Sequence, residues 1–268
     1  MKVSKIFSLI FALTLCANQA FCDDSQAFNK ITVSEEVHHQ NSDILKDYVI
    51  KFHAYGGAYV VLNTENKELI DKQFAGSVDE SFAVWSRSAL RLFHYAIALH
   101  KDDINDEEKI DLYAESSELF DRVAKADRDA YYRPYLHKTG YTMPTILLLA
   151  YMKVFENKDN YLSEKQLERL KDAVSENVKS GKAKKANVEG LNVSGLTSTT
   201  YKDKDGEKVY TVFIGEFEVG EQNYAIITLL DEPEALKSTY GFKTSGWNAT
   251  PMAGEIIKNI ANKKSGEE

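Results

Sequence analysis

Apolar positions change their spacing along this chain, and the change divides it. Tyr59-Val60-Val61-Leu62 is a short aromatic and β-branched run. Asn63-Thr64-Glu65-Asn66-Lys67 carries turn residues, and Glu68-Leu69-Ile70 returns. This pattern predicts two strands joined by a turn. Leu90, Phe93 and Ile97, with Ala96 and Ala98 between, fall at helical spacing and predict a helix over 86–100. A second apolar helix is predicted from about Pro144 to Phe155, with proline suited to its first turn. A third, amphipathic and charged, spans Ser163 to about Ser180. Ser163 and Gln166 form its capping box, and Gly181 stops it.

Beyond residue 190 the period becomes that of strands. Val193 to Thr200 predicts one strand and Asp205-Gly206 a tight turn. Val209 to Val219 predicts a long second strand. Gly220 to Asn223 turns the chain, and Tyr224 to Leu230 predicts a buried third strand. A last helix is expected over 251–261, opening at Pro251. Strands, helices, an antiparallel meander and a closing helix describe an α+β domain. Residues 23–52 are polar and mixed. Ser34-Glu35-Glu36 and Asn41-Ser42-Asp43 are possible helix starts, but a loosely ordered arm is expected there.

The N-terminus adds a compartment. Lys2 and Lys5 precede a charge-free run from Ile6 to Cys22, and Asp23-Asp24 follows. This is the layout of a secretory signal peptide. The apolar run is short for a membrane span, which needs roughly 20 apolar residues. Ala20-Phe21-Cys22 places cleavage after Cys22, with cleavage after Ala20 or an uncleaved anchor as alternatives. Both cysteines, Cys16 and Cys22, lie in this segment, so cleavage after Cys22 leaves no disulfide and no reactive thiol. The expected organisation is a signal peptide (1–22), a polar arm (23–52), the main domain (53–262) and a polar tail (263–268). A periplasmic or secreted location follows.

The formal net charge is −8, which gives no basic face for nucleic acid. The six histidines include His38-His39, but no spacing suggests a zinc site, and that pair is expected in solvent. No metal or cofactor is expected.

Several stretches, taken in order, resemble the transpeptidase domain of penicillin-binding proteins, most closely the cell-division transpeptidases. Gly56-Gly57-Ala58-Tyr59-Val60-Val61-Leu62-Asn63 is similar to the opening strand of that domain. Ser88-Ala89-Leu90-Arg91-Leu92-Phe93 is similar to its nucleophile helix, and Gly140-Tyr141-Thr142-Met143-Pro144-Thr145 to a later helix. Val193-Ser194-Gly195 leads into the place of its third motif. Tyr210 to Gly215, Asp231-Glu232-Pro233, Tyr240-Gly241-Phe242 and Gly246 to Pro251 are the most specific part. The resemblance implies a penicillin-binding transpeptidase or serine β-lactamase-like α+β fold. An antiparallel sheet would carry packed helices, in a shortened form without the family's N-terminal pedestal.

That family works through Ser-x-x-Lys, Ser-x-Asn and Lys-Thr-Gly. Serine and lysine three apart share one helix face, so the amine takes the serine proton. The matching quartet here is Ser88-Ala89-Leu90-Arg91. Arg91 stays protonated, with a pKa above ~12, and accepts no proton. The third motif, Gly-Lys-Thr-Gly-Thr in the family, is replaced by Gly195-Leu196-Thr197-Ser198-Thr199. Leu196 removes the positive charge that meets the substrate carboxylate. Ser198 adds a side chain where the substrate backbone approaches. Thr197, Thr199 and a backbone donor for the oxyanion hole are retained. Leu196, Thr197, Ser198 and Thr199 are thus the candidate substrate-binding positions, and Ser88 and Arg91 the relic catalytic ones. Lys138-Thr139-Gly140 matches the third motif only literally, before a helix. Ser175-Glu176-Asn177 matches Ser-x-Asn inside a charged helix, and Ser116-Ser117-Glu118 has glutamate for asparagine, so the second motif is missing.

Three motif losses imply a pseudoenzyme that binds peptidoglycan stem peptide or an envelope or cell-division protein, with β-lactam as a further candidate ligand. The alternative is an active acyl-serine penicillin-binding protein using Ser88 with an unusual base.

Overall fold

In the computed structural model the structure describes residues 32–80, 82, 144–157, 160, 162–203 and 207–264. The five strands among them are β1 (Gly56–Asn63), β2 (Leu69–Gly76), β3 (Val193–Tyr201), β4 (Val209–Val219) and β5 (Gln222–Asp231). They form one sheet in the order β2-β1-β5-β4-β3, antiparallel at every junction. Four α-helices among the described residues accompany it: α1 (Glu35–Lys51), α2 (Pro144–Glu156), α3 (Glu164–Lys179) and α4 (Ala249–Lys264).

Alternation along the strands builds two cores. Tyr210, Val212 and Ile214 of β4 face the layer holding α2 and the inner stripe of α3, with Leu148, Met152, Leu170 and Val174. Phe213 and Phe217 face the opposite layer of α1 and α4, with Leu45, Met252, Ile256 and Ile260. Burying both faces of one strand requires β-formers at nearly every position, and Val209 to Val219 has them.

The expected pairings hold: β4 pairs antiparallel with β5, and β3 with β4. The capping box of Ser163 and Gln166 is formed. The expected loop at Gly220–Asn223 is tighter than its sequence implies. Gly220 takes φ +61°, Val219 pairs with Gln222, and β5 starts two residues early. The last helix also begins earlier, at Ala249, so Pro251 lies in the first turn, where its missing N–H is not needed.

The largest correction is at the N-terminal arm. Residues 35–51 are not loosely ordered but form α1, capped by Ser34, whose hydroxyl accepts from the Val37 N–H. Val37, Asn41, Leu45, Tyr48 and Phe52 recur at helical spacing and are buried. Asn41 and Ser42 interrupt the apolar stripe with polar groups, which is why composition made it look unfolded.

Candidate functional site

Strand β3 carries four of the six candidate residues and lies at the sheet edge. Ser88 and Arg91 lie outside the described residues, as do the predicted helix over 86–100, the signal segment, Ser116-Ser117-Glu118 and Lys138-Thr139-Gly140. The predicted tight turn at Asp205-Gly206 does too, and the Lys202 N–H donates to the Lys208 carbonyl.

The strand period of two divides the four positions between two faces. Leu196 is 1% exposed and packs among Val212, Ile214 and the α2 side of the core. Ser198 is also buried, its hydroxyl 3.4 Å from that of Thr200. Thr197 and Thr199 take the other face and are half-buried. The Thr199 hydroxyl accepts the Ser245 N–H at 3.0 Å, and the Ser245 hydroxyl donates to the Val212 carbonyl at 2.7 Å. Thr199 thus ties the 3₁₀ turn Ser245–Trp247 to the edge strand.

Position 195 needs glycine for packing. A Cβ there would stand 2.6 Å from the Ile214 carbonyl and 2.6 Å from the Phe213 ring. The Gly195 carbonyl accepts from the Asn177 side chain of α3 at 2.6 Å, and Asn177 also accepts the Ala183 N–H at 3.2 Å. The Asn of the literal Ser175-Glu176-Asn177 is therefore a buried brace of β3.

The described lysine just past β3 is engaged elsewhere. Lys202 lies six residues beyond Leu196, and its ammonium donates to Asp231 at 2.7 Å and Glu232 at 2.6 Å. Burial pulls its pKa down, but hydrogen bonds to Asp231 and Glu232 outweigh this and hold it above the ordinary value.

No family model matches the chain. A transpeptidase domain of penicillin-binding protein 3 from Burkholderia pseudomallei superposes with a TM-score of 0.68 at 16% identity, covering 88% of this chain and 96% of that one. The transpeptidase domain of FtsI4 D,D-transpeptidase from Legionella pneumophila gives 0.60 at 16% identity, with 86% and 98% covered. The fold is that of a penicillin-binding protein transpeptidase domain. A probable peptidoglycan D,D-transpeptidase FtsI of Caulobacter vibrioides is 34% identical over 91 residues, 30% of this chain. The matched region spans 15% of the length of that curated relative.

Within this transpeptidase fold, two polar features escaped the sequence reading. Asp71 of β2 is fully buried. It receives the Asn41 amide at 2.7 Å and the Tyr59 hydroxyl at 3.0 Å, and His38 Nδ1 lies 2.7 Å away. Asn259 of α4 extends the network by donating to Asn41 at 2.8 Å. Burial first, and then the Asp71 carboxylate, push the Tyr59 phenol far above its usual range. His38 is thus held at a carboxylate, while His39 beside it is exposed, so the expectation of a solvated pair holds only for the second. The network clamps α1, the sheet and α4. Its only sequence signal was the i, i+3 spacing of His38 and Asn41.

The second feature is Glu216 on β4, between the Ser194 and Ala225 positions of its neighbours. Burial pushes its carboxyl up to about 7, with Lys171 and Lys67 opposing.

Proposed function

We propose that this chain is an exported transpeptidase-like domain that binds peptidoglycan stem peptide and has lost acyl transfer. One observation carries the reading: Leu196, where the resemblance wants the third-motif lysine, is an apolar core residue, 1% exposed. The two further losses in the sequence support it, since Arg91 accepts no proton and no Ser-x-Asn precedes α3 in the required place. Ligand binding survives such losses more readily than catalysis, because removal of one member of a catalytic unit abolishes most of its rate. An extended peptide suits the edge strand β3, by addition along a sheet edge. An envelope or cell-division protein is the other candidate partner, and the 1–22 segment provides the export. No helix among the described residues is long and apolar enough to cross a membrane.

The test is covalent labelling. The purified protein is incubated with a fluorescent penicillin, denatured and inspected for label. Loss of general-base help costs ~10²–10⁴ in rate, so no label is expected within minutes. Rapid labelling that Ser88→Ala abolishes would make this a working acyl-serine penicillin-binding protein and end the pseudoenzyme reading.

A further inference from the structure

A cavity of about 220 Å³ opens where β3 begins and β4 ends, against the C-terminal half of α3. It is lined by Ser175 and Lys179 of α3, Asn187, Ser194 of β3, Glu216 of β4 and Asn223 of β5, among others. It includes none of the candidate positions 196–199. Its size lies below the roughly 300–1,000 Å³ of pockets for drug-sized ligands, so its occupant is small.

Its chemistry is polar and bipolar. Glu216 contributes a partly buried carboxyl from the sheet, and Lys179 an exposed ammonium from α3. Both line one cavity, yet among the described residues they form no ion pair with each other and no hydrogen bond elsewhere. The second acid of the cavity, Glu218, is engaged by the Asn192 amide at 2.9 Å. Burial disfavours the Glu216 carboxylate, and a ligand ammonium placed on it offsets that penalty. We propose that this cavity binds a small zwitterion of amino-acid size, with its ammonium on Glu216 and its carboxylate on Lys179. The amides of Asn187 and Asn223 and the hydroxyls of Ser175 and Ser194 provide the remaining polar contacts around it.

Lys171 on α3 and Lys67 from the β1–β2 turn, which pairs with Glu156 of α2, act on the Glu216 carboxyl, and Lys179 and Glu218 line the same cavity. With Glu216 pushed up to about 7, its ionised fraction rises about tenfold from pH 6 to pH 8. A ligand ammonium prefers the ionised form, so binding strengthens over that interval.

The experiment follows backbone amide shifts in the ¹⁵N-labelled protein. L-Alanine is the probe, and propionate and ethylamine each carry only one of its charges. Shifts centred on Ser194, Glu216 and Asn223 are expected with alanine, about tenfold tighter at pH 8 than at pH 6. Neither single-charge probe should match it. Glu216→Gln and Lys179→Met should each weaken alanine about tenfold or more. Lys179 is exposed, so its variant carries the test even if Glu216→Gln fails to fold. Alanine that leaves these residues unmoved, or that binds both variants as well as the parent, overturns the proposal. Ethylamine or propionate binding as tightly as alanine overturns it as well.

Discussion

The side-chain amide of Asn177 donates to the Gly195 carbonyl at 2.6 Å and so joins α3 to the edge strand β3. Its oxygen accepts the Ala183 N–H, so one buried side chain satisfies two backbone groups. Asn177→Ala removes both bonds, at about 0.5–1.5 kcal/mol each. Chemical denaturation should show the combined loss. Hydrogen exchange should accelerate at Gly195 and its strand neighbours before the β4–β5 ladder is affected. Unchanged exchange in β3 would mean that the strand is held by its pairing with β4 alone.

Asp71→Ala should destabilise the protein more than any single change on the surface of α1. The substitution strands the Tyr59 hydroxyl and the Asn41 amide in a buried site and removes the partner of His38. Breaking a buried charged cluster by removing one member costs on the order of 3–5 kcal/mol. Thermal unfolding followed by circular dichroism measures it. Proteolysis should cut first in α1, since the network joins α1 to β2 and α4 beside the Tyr48 hydrogen bond to Glu255.

Glu216 sets a pH dependence of stability. Its folded-state pKa, about 7, lies above the ordinary 4.5, so the folded protein prefers the protonated form. The unfolded chain therefore loses this proton first, and stability falls as pH rises from about 4.5 to 7. The full effect above that window is on the order of 3 kcal/mol. Glu216→Gln removes this contribution. The variant should match the parent near pH 4 and exceed it at pH 8 in urea unfolding. Parallel pH profiles for the two proteins would contradict the assignment.

Rebuilding the third motif should be costly. Leu196→Lys places an ammonium in the apolar cluster with Val212 and Ile214, and several kcal/mol of desolvation oppose it. A lower melting temperature is expected, measured by calorimetry. Arg91→Lys alone should leave penicillin labelling absent, because Leu196 and Ser198 remain. If Leu196→Lys is thermally neutral, position 196 has access to water, and the argument from its burial fails.

Much of the architecture was legible in the chain. Val209 to Val219 and Tyr224 to Leu230 declared a meander, because a strand buried on both faces needs β-branched and aromatic residues throughout. Ser163 and Gln166 fixed the start of α3, because capping is local chemistry. That Leu196 stands where the resemblance expects a lysine was equally plain. Tertiary structure decided the rest. Leu196 and Thr197 are neighbours in sequence but face opposite layers, since the strand period is two and only the assembled sheet says which face is which. Asn177 looked like half of a motif and is a brace, because its partner, Gly195, lies 18 residues away. Residues 35–51 looked like a loose arm because Asn41 and His38 dilute the apolar stripe. Their partner Asp71 arrives from strand β2, and burial becomes favourable only once the carboxylate satisfies them. Local propensity and period are written in the chain, but the pairing of distant polar groups exists only after folding has brought them within hydrogen-bond reach.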